Sequence, residues 1–449
     1  MDCAHTHPWP QPMRQFSLRP VQSALLAMCL AAVCGPGLAE TSDAGNQLAH
    51  SLLRELIEIN TTESVGRVTA AAEAMAVRLR DAGYPASDIQ VSGPNDRKKN
   101  LVVRLHGTGK LKPVLLIGHL DVVEANRNDW TTDPFKLVEK DGYFYGRGVV
   151  DMKGGDAILM ATMIRFRKEG FRPDRDIILA LTADEEGGDS NGVSWLLQNH
   201  RELIDAEFVL NHDGASIDAE HGVAQYYLLD ATEKVYADYQ LIVTNPGGHS
   251  SLPKPDNSIY ELAEALLRLG HYEFPFELNA VTRSYYESIA PLRPPARAAQ
   301  IRAILQTPPD AAAVVQLSKD PLDHATLHTT CVATRLNGGD ANNALPQRAE
   351  ATVNCRILPG RPPEEVRQDI IRVLNDSRVA VRYIADNGEI LDSAPAKAAR
   401  APAPLNPAMI KPLRRLVQKY WPGLAIVPSM AVGASDGVFT SAAVFRPTR

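Results

Sequence analysis

Short apolar runs alternate with helical stretches in the first half of the chain, and this alternation restricts the fold class. Two amphipathic helices are predicted first, over residues 46–60 and 70–82. Strands and helices then alternate; the predicted strands are 100–105, 113–117, 176–182 and 207–210, and the predicted helices are 156–168 and 193–198. This pattern predicts an α/β fold, a mixed sheet flanked by helices, whose functional groups gather where strands end.

A second, smaller α+β unit is predicted to interrupt the first. Strands over residues 223–229 and 236–243 precede a helix over 258–269 that Asn257 caps. A break at Pro359-Gly360-Arg361-Pro362-Pro363 then closes the unit, and helices over 364–375 and 407–420 return the chain to the first domain. The predicted boundaries are a first domain over 40–220, an insertion over 221–358 and the rest of the first domain over 359–449.

Composition is that of an ordinary globular protein with room for two cores. The chain has 449 residues, of which 45% are hydrophobic and 22% charged. The formal net charge is −6 and the basic residues are dispersed, so a nucleic-acid-binding surface is not expected. Peptides or small molecules fit this charge balance better.

The N-terminus resembles an export signal. Arg14 and Arg19 precede an apolar run over residues 24–33, and Gly37-Leu38-Ala39 offers small residues for cleavage. We therefore expect residues 1–39 to be a signal peptide and the mature protein to be periplasmic or secreted. A membrane anchor is the alternative, but the run is shorter than the roughly 20 residues of a spanning helix, so no stable membrane insertion is expected after processing.

Two cysteines remain after the predicted cleavage, Cys331 and Cys355. Each lies in a strand-like run, over residues 329–336 and 350–358, and antiparallel pairing of these runs would bring the two together in an oxidising compartment. A disulfide and two buried free thiols both stay open, because sequence does not fix strand register.

Five short stretches combine histidine, carboxylates and glycine near predicted strand ends. They are Gly118-His119-Leu120-Asp121, Gly148-Val149-Val150-Asp151, Asp184-Glu185-Glu186-Gly187, His212-Asp213-Gly214 and Gly247-Gly248-His249-Ser250-Ser251. Imidazole and carboxylate clusters of this kind hold metal ions that activate water for amide hydrolysis. A phosphate-binding loop is excluded, since the chain has no Gly-x-x-x-x-Gly-Lys-Ser/Thr pattern.

These motifs resemble those of the dizinc aminoacylase and glutamate carboxypeptidase family, which includes acetylornithine deacetylase and succinyl-diaminopimelate desuccinylase. The resemblance covers roughly residues 46–437. It implies a zinc-binding α/β catalytic domain interrupted by a smaller lid that often mediates homodimerisation. It also implies two zinc ions, with cobalt or manganese as alternatives, and a peptide or an N-acyl amino acid as substrate.

The resemblance assigns the metal shell and the catalytic base. His119 is a ligand, Asp151 bridges the two metals, Glu186 binds the first metal and Asp213 binds the second. Glu185 is the general base, which takes a proton from water and delivers it to the leaving amine.

Further positions receive supporting roles by the same resemblance. Asp121 accepts the second imidazole N–H of His119, and His249 stabilises the oxyanion. Asn343 and Arg356 face the substrate. Asn342 is an alternative to Asn343, and pairing of Arg356 with an acid at the domain boundary is an alternative to its substrate role.

The chain departs from the family near its end. After Gly433-Ala434-Ser435-Asp436-Gly437, the family carries one more histidine ligand, whereas Val444-Phe445-Arg446-Pro447-Thr448-Arg449 no longer resembles it. We expect this change to impair the metal site. The alternative to an impaired hydrolase is an inactive, metal-deficient remnant with at most a binding role.

Overall fold

A computed structural model of the chain describes residues 39–187, 190–385, 387–395 and 407–442. Its helices are α1 (Ala39–Glu58), α2 (Val68–Asp81), α3 (Lys153–Lys168), α4 (Gly192–Asn199), α5 (Arg201–Ile204), α6 (Ser258–Gly270), α7 (Ala280–Ile289), α8 (Pro295–Ile304), α9 (Ala311–Leu317), α10 (Pro321–Leu327), α11 (Pro363–Leu374), α12 (Pro407–Tyr420) and α13 (Gly437–Ala442). The compact unit to which the later elements belong begins within α1, at Gly45.

Each predicted strand is present among the described residues, and the chain forms several further strands that the sequence pattern did not predict. The strands are β1 (Ile89–Ser92), β2 (Asn100–Leu105), β3 (Val114–His119), β4 (Val138–Lys140), β5 (Tyr143–Tyr145), β6 (Ile177–Thr182), β7 (Phe208–Asn211), β8 (Ala215–Glu220), β9 (Val223–Glu233), β10 (Val235–Thr244), β11 (Gly248–His249), β12 (Thr330–Gly338), β13 (Ala344–Leu345), β14 (Arg348–Ile357), β15 (Val379–Ile384), β16 (Ile390–Leu391) and β17 (Ala425–Ala431).

The first sheet has the strand order β1-β2-β6-β3-β7 and helices on both faces. Leu179 and Leu181 of β6 pack with α1, α2 and α3, while Ile178 and Ala180 pack with α4 and α5. Alternate residues of a strand point to opposite faces, so a strand covered on both sides is apolar throughout. The predicted α/β fold with a mixed sheet is confirmed.

Three strands of this sheet end at one edge. β3 runs parallel to both β6 and β7, with His119 opposite Thr182 and Ile117 opposite Asn211. The loops that follow these strands therefore lie side by side. This edge is where the predicted ligands are brought together.

A second sheet is antiparallel, in the order β12-β14-β10-β15-β16. Tyr239, Val353 and Val381 form its core with α6 and α11. Residues 364–375 were predicted to return the chain to the first domain. The corresponding helix instead packs here, because Val366 and Ile370 are buried against this sheet.

A third sheet, in the order β17-β9-β8, carries its own helical layer. β9 pairs in parallel with β17 rather than with the second sheet, and Tyr226 and Val427 pack against α7 through Tyr286. The first strand predicted for the insertion thus pairs with a strand far along the chain. The domain boundaries themselves stay a prediction.

The structure decides between the two states that the sequence allowed for Cys331 and Cys355. Cys331 of β12 lies opposite Cys355 of β14, and a disulfide links them. The alternative of two free thiols is therefore wrong.

Both ends of the sequence carry predictions that the structure does not reach. The described part begins at residue 39, so the predicted signal peptide lies outside it except for Ala39, and so does the segment 444–449. Across the described ranges, none of the helices combines the length and the apolar character needed to cross a bilayer.

Candidate metal centre

One imidazole nitrogen forms the centre of the predicted site. His119 ends β3 and is 1% exposed. Its Nε2 lies 3.0 Å from Asp151 Oδ1, 3.7 Å from Asp213 Oδ2 and 3.9 Å from Glu185 Oε2. Three acids from three different loops therefore converge on one buried nitrogen.

The donor set of this centre fits a metal ion. Single ligand atoms of His119, Asp151 and Asp213 all lie within 4.8 Å of one another. A neutral imidazole nitrogen and carboxylate oxygens are the ligands that zinc accepts, and manganese and cobalt accept the same set. These three residues could hold one cation between them.

The pKa shifts in this cluster show that its carboxylates repel one another. Burial alone would lower the pKa of His119, but the hydrogen bond to Asp151 and the carboxylates of Asp121 and Glu185 raise it well above its usual value. Burial raises the pKa of Asp213, and the neighbouring Asp151 raises it further. Carboxylates crowded together disfavour each other's ionisation unless a cation accompanies them.

Asp121 holds the site differently from the prediction. His119 Nδ1 lies 3.1 Å from the backbone carbonyl of Asp121 and 3.7 Å from its Oδ1, so the hydrogen-bond acceptor is the main chain and not the carboxylate. The carboxylate turns instead to Glu186, whose backbone N–H donates to Oδ2 at 2.9 Å. Asp121 thus still fixes the His119 tautomer, through a different atom.

A tight turn after β6 presents the two glutamates. Asp184 has φ of 62°, in the left-handed region that costs energy for a residue other than glycine. Lys98 Nζ donates to its Oδ2 at 2.7 Å, and the backbone N–H of Ser190 donates to the same oxygen at 3.0 Å. These bonds hold the turn at the conformation that places Glu185 next to His119.

Glu185 has the environment of a proton carrier. Its side chain is 12% exposed. Burial raises its pKa to about 8, and the carboxylates of Asp436, Asp213 and Asp121 add to the rise while His119 opposes it. A carboxyl group with a pKa near neutrality both accepts and returns a proton readily.

Glu186 lies beside the cluster rather than within it. It is not one of the three residues whose ligand atoms lie within 4.8 Å of one another. Burial raises its pKa, and so does the charge of Asp151, which places the two carboxylates near each other. Its role as a ligand to a first metal stays a prediction.

Sequence reasoning missed the role of Asp436. This residue is 3% exposed, and it accepts hydrogen bonds from Thr182 Oγ1 at 2.8 Å and from Asn191 Nδ2 at 2.6 Å. Thr182 and Asn191 flank the loop that carries Glu185, so Asp436 fastens that loop at both ends. Asp436 belongs to the motif Gly433-Ala434-Ser435-Asp436-Gly437, so the sequence did mark its position. The neighbouring residues in sequence do not show which side chains Asp436 contacts.

The candidate oxyanion residue lies on a separate two-stranded ribbon. His249 of β11 is opposite Ala344 of β13, and it is exposed. The backbone N–H of Ser251 donates to its Nδ1 at 3.2 Å, and the carbonyl of Asn343 accepts from the N–H of Ser250 at 3.0 Å. His249 and Asn343 are therefore neighbours. Because Nδ1 of the His249 ring accepts a hydrogen bond, the ring proton lies on Nε2.

Arg356 has a partner within the protein. It lies opposite Tyr236 in the β10–β14 pair, and its guanidinium stacks over that ring at 4.7 Å from the centroid. The alternative to a substrate role was pairing of Arg356 with an acid, whereas the contact seen here is with an aromatic ring. Contact of Arg356 with a substrate stays a prediction.

A cavity of about 380 Å³ adjoins the cluster. Asp121 and Glu186 are among its lining residues, and Val68, Val122 and Val123 make part of its wall. Its volume falls within the range of small-molecule pockets.

Comparison with known proteins agrees with this geometry. The family model of peptidase family M20/M25/M40 matches residues 115–448. The chain is 30% identical over 334 residues to the probable carboxypeptidase S-like 2 of Dictyostelium discoideum, covering 73% of this chain and 62% of that protein. It is 29% identical over 342 residues to the human (Homo sapiens) N-fatty-acyl-amino acid synthase/hydrolase PM20D1, covering 73% and 64%. The chain thus spans less than two thirds of the length of either relative.

Solved structures share the fold. The M20 family metallo-carboxypeptidase Sso-CP2 of Sulfolobus solfataricus superposes with a TM-score of 0.64 at 17% identity, covering 88% of this chain and 89% of that one. The Bacillus subtilis YXEP protein, described as a dinuclear metal binding peptidase of the M20 family, gives 0.52 at 10% identity, covering 90% and 87%. With the family match over residues 115–448, the resemblance seen in the motifs is confirmed: the chain belongs to peptidase family M20/M25/M40.

Proposed function

We propose that this protein is a metal-dependent hydrolase that cleaves the amide bond of a peptide or an N-acyl amino acid. The observation that carries the proposal is the convergence of Asp151, Asp213 and Glu185 on His119 Nε2, within 3.0–3.9 Å. Two of these acids complete a metal-ligand group with the histidine. The third, Glu185, is a largely buried carboxyl group with a pKa of about 8.

The proposed metals are two zinc ions, with cobalt or manganese as alternatives. His119, Asp151 and Asp213 would hold one, and Glu186 with Asp151 would hold the other. When bound, such ions polarise a carbonyl oxygen and make water a stronger acid. Support comes from the donor set and from the dinuclear relative of the same fold.

Glu185 is proposed to move the proton. Its carboxylate takes a proton from the attacking water as the C–O bond forms, and returns it to the amide nitrogen as the C–N bond breaks. The protons balance, because one carboxyl group accepts and then donates. The pKa of about 8 suits both halves of this exchange.

His249 is proposed to stabilise the oxyanion. Ser251 donates to its Nδ1, so Nε2–H is the free donor of the ring. Asn343, its neighbour on the ribbon, and Arg356 are proposed to contact the polar end of the substrate. The ribbon lies at the surface, where it can meet a substrate.

The cavity beside Glu186 is proposed to take the acyl or side-chain group of the substrate. Its wall combines Val68, Val122 and Val123 with charged residues, of which Lys98 pairs with Asp184 and Glu124 accepts from Ser64. The apolar part of this wall suits an uncharged group. The relatives named as carboxypeptidase and as N-fatty-acyl-amino acid hydrolase motivate a panel that spans both substrate classes.

Export and dimerisation are further parts of the proposal. The Cys331–Cys355 disulfide favours an oxidising compartment, in agreement with the signal-like N-terminus.

The second sheet presents β12 as an edge strand whose Val332 and Leu336 are exposed, and a second copy of the chain could cover it. Cell fractionation and light scattering of the purified protein test these two points.

The central experiment measures metal content and hydrolysis together. We expect the purified protein to bind zinc and to cleave at least one member of a panel of dipeptides, N-acetyl, N-succinyl and long-chain N-acyl amino acids. His119→Ala should lose both metal and activity, because it removes the only nitrogen of the ligand group. A His119→Ala protein with unchanged metal content, or a metal-loaded wild type that cleaves no amide, would refute the proposal.

A further inference from the structure

The turn that carries the proposed ligand Asp213 is held by a chain of hydrogen bonds that the chemistry above does not use. Asn211 ends β7, and its Oδ1 accepts from the backbone N–H of Asp213 at 3.2 Å. Asn211 is therefore the N-cap of the short turn His212–Gly214. The side chain that begins this turn thus bonds to the main chain of a residue proposed to bind metal.

The other end of the Asn211 amide contacts a residue 224 positions later in the chain. Its Nδ2 donates to Ser435 Oγ at 3.1 Å. Ser435 Oγ also accepts from the N–H of Gly437 at 3.0 Å, and it donates to Glu233 Oε2 at 2.9 Å. A hydroxyl group has one proton and two lone pairs, so the hydrogen-bonding capacity of Ser435 Oγ is fully used. The direction of each bond from Glu233 to Asp213 is thereby fixed.

A packing contact limits the same turn. The His212 ring lies against α3, where a Cβ built on Gly155 would be 2.6 Å from His212 Nδ1. A larger residue at position 155 would therefore displace the ring. Because α3 bounds the turn and Asn211 ties it to Ser435, Asp213 has little freedom to move.

The segment that contains Ser435 also holds the loop of the proton carrier. The next residue, Asp436, accepts from Thr182 and Asn191, which flank the loop that carries Glu185. Two consecutive residues thus bond to two different loops of the site. A displacement of this segment would move a metal ligand and the proton carrier together.

We infer that Asn211 and Ser435 are positioning residues of the metal centre, which hold Asp213 where it can bind a cation. Neither belongs to the ligand group itself. A ligand that is already held in its binding geometry loses less conformational freedom when the cation arrives, so preorganisation increases affinity. Hydrogen bonds around a metal shell act in this way, by orienting the ligands. The inference rests on the proposed function.

The test measures zinc affinity by calorimetry in three single variants. Asn211→Ala removes both bonds of the amide, and Ser435→Ala removes the partner of its Nδ2. Asn211→Ser keeps an oxygen that can cap the turn, but the shorter side chain does not reach Ser435. The measurements are made at a temperature at which every variant is folded, so that a loss of stability alone leaves zinc affinity unchanged.

Asn279→Ala is the matched control. Asn279 is the N-cap of α7, and its Oδ1 accepts from the N–H groups of Val281 and Thr282, both at 2.9 Å. Its Nδ2 also has a distant partner in sequence, Met430 Sδ at 3.7 Å. The control therefore removes the same kind of cap from a helix that carries no proposed ligand. Thermal unfolding of the metal-free proteins compares the stability of all variants.

We expect Asn211→Ala to bind zinc about 10- to 100-fold more weakly, and Ser435→Ala and Asn211→Ser about 10-fold more weakly. Asn279→Ala should unfold at a lower temperature with unchanged zinc affinity. The double variant Asn211→Ala/Ser435→Ala should bind zinc as tightly as Asn211→Ala, since Ser435 acts through Asn211. Asn211→Ser keeps the cap and decides the test should Asn211→Ala not fold.

Two results with a zinc-binding wild type would overturn this inference alone. One is wild-type zinc affinity in Asn211→Ser and Ser435→Ala, which would leave both residues with a purely structural role. The other is full additivity of the two losses in the double variant, which would show that Ser435 does not act through Asn211. A wild type that binds no zinc would overturn the proposed function as well, so the two failures are distinguishable.

Discussion

The ion pair between Lys98 and Asp184 is predicted to hold the turn that carries Glu185, and Lys98→Met tests this. The Nζ–Oδ2 distance is 2.7 Å, and the two side chains are 9% and 2% exposed. Lys98 also contacts Glu63 at 2.9 Å, but that carboxylate is 54% exposed. The buried partner therefore decides the effect of the substitution.

The pKa values of both partners are raised, which favours the charged form of Lys98 but disfavours that of Asp184. Burial alone would lower the pKa of Lys98, yet its hydrogen bonds to Asp184 and Glu63 raise it. Burial raises the pKa of Asp184 by more than Lys98 lowers it. We take the pair as charged, because Ser190 N–H donates to the same Asp184 oxygen and two donors on one oxygen favour the carboxylate.

Removing one member of a buried ion pair leaves an uncompensated charge, at a cost of about 3–5 kcal/mol. The exposed contact to Glu63 adds less than about 1 kcal/mol. We therefore expect Lys98→Met to lower the free energy of unfolding by about 3–5 kcal/mol. Turnover should fall as well, because a shift of about 1 Å in a catalytic group can cost about 100-fold in rate.

Urea unfolding followed by tryptophan fluorescence measures the stability change, and steady-state kinetics measure the turnover. Glu63→Gln is the matched control and should stay within about 1 kcal/mol of the wild type. The double variant Lys98→Met/Asp184→Asn should be more stable than Lys98→Met alone, since no charge is left unpaired. A Lys98→Met protein as stable as Glu63→Gln would refute the reasoning.

Two further predictions concern the proton carrier and the pH dependence of stability. Glu185→Gln should lower kcat by about 100- to 10,000-fold, the usual contribution of a general base, and should keep its metal content; kinetics and metal analysis check both, and retained activity would exclude Glu185 as the base. Glu233 lies outside the ligand group, and burial raises its pKa from 4.5 to about 7. Its folded-state pKa is the higher one, so its contribution to stability is complete below about pH 4.5 and is lost as the pH rises through about 7. The loss is on the order of 3 kcal/mol, and Glu233→Gln should flatten this part of the curve of unfolding temperature against pH; an unchanged curve would contradict the assignment.

The features predicted correctly from sequence are those that local rules determine. Runs of apolar residues located four of the five strands of the first sheet, β1 being missed, and the rule that functional groups gather where strands end placed His119 and Asp213 near one another. The disulfide needed the register of β12 against β14, which places Cys331 opposite Cys355. Periodicity alone does not supply register.

The features missed depend on contacts between distant parts of the chain. Asp436 reaches Thr182 across 254 residues, and β9 pairs not only with its neighbour β8 but also with β17, almost 200 residues later. The path of one loop decides which oxygen of Asp121 contacts His119. The spacing of these two residues in the sequence does not reveal that path.

The charge distribution of the site is the strongest physical reason to regard it as a cation site. Asp151, Asp213 and Glu185 approach one imidazole nitrogen, while Asp121 and Asp156 are buried close by. Two like charges 4 Å apart repel by about 4 kcal/mol at a surface-like dielectric constant, so such a cluster is unstable unless protons or cations neutralise it. Protons do so only in part, since the hydrogen bond from His119 holds the pKa of Asp151 below its usual value. Divalent cations would neutralise all these carboxylates at once, and the same charges would then strengthen metal binding.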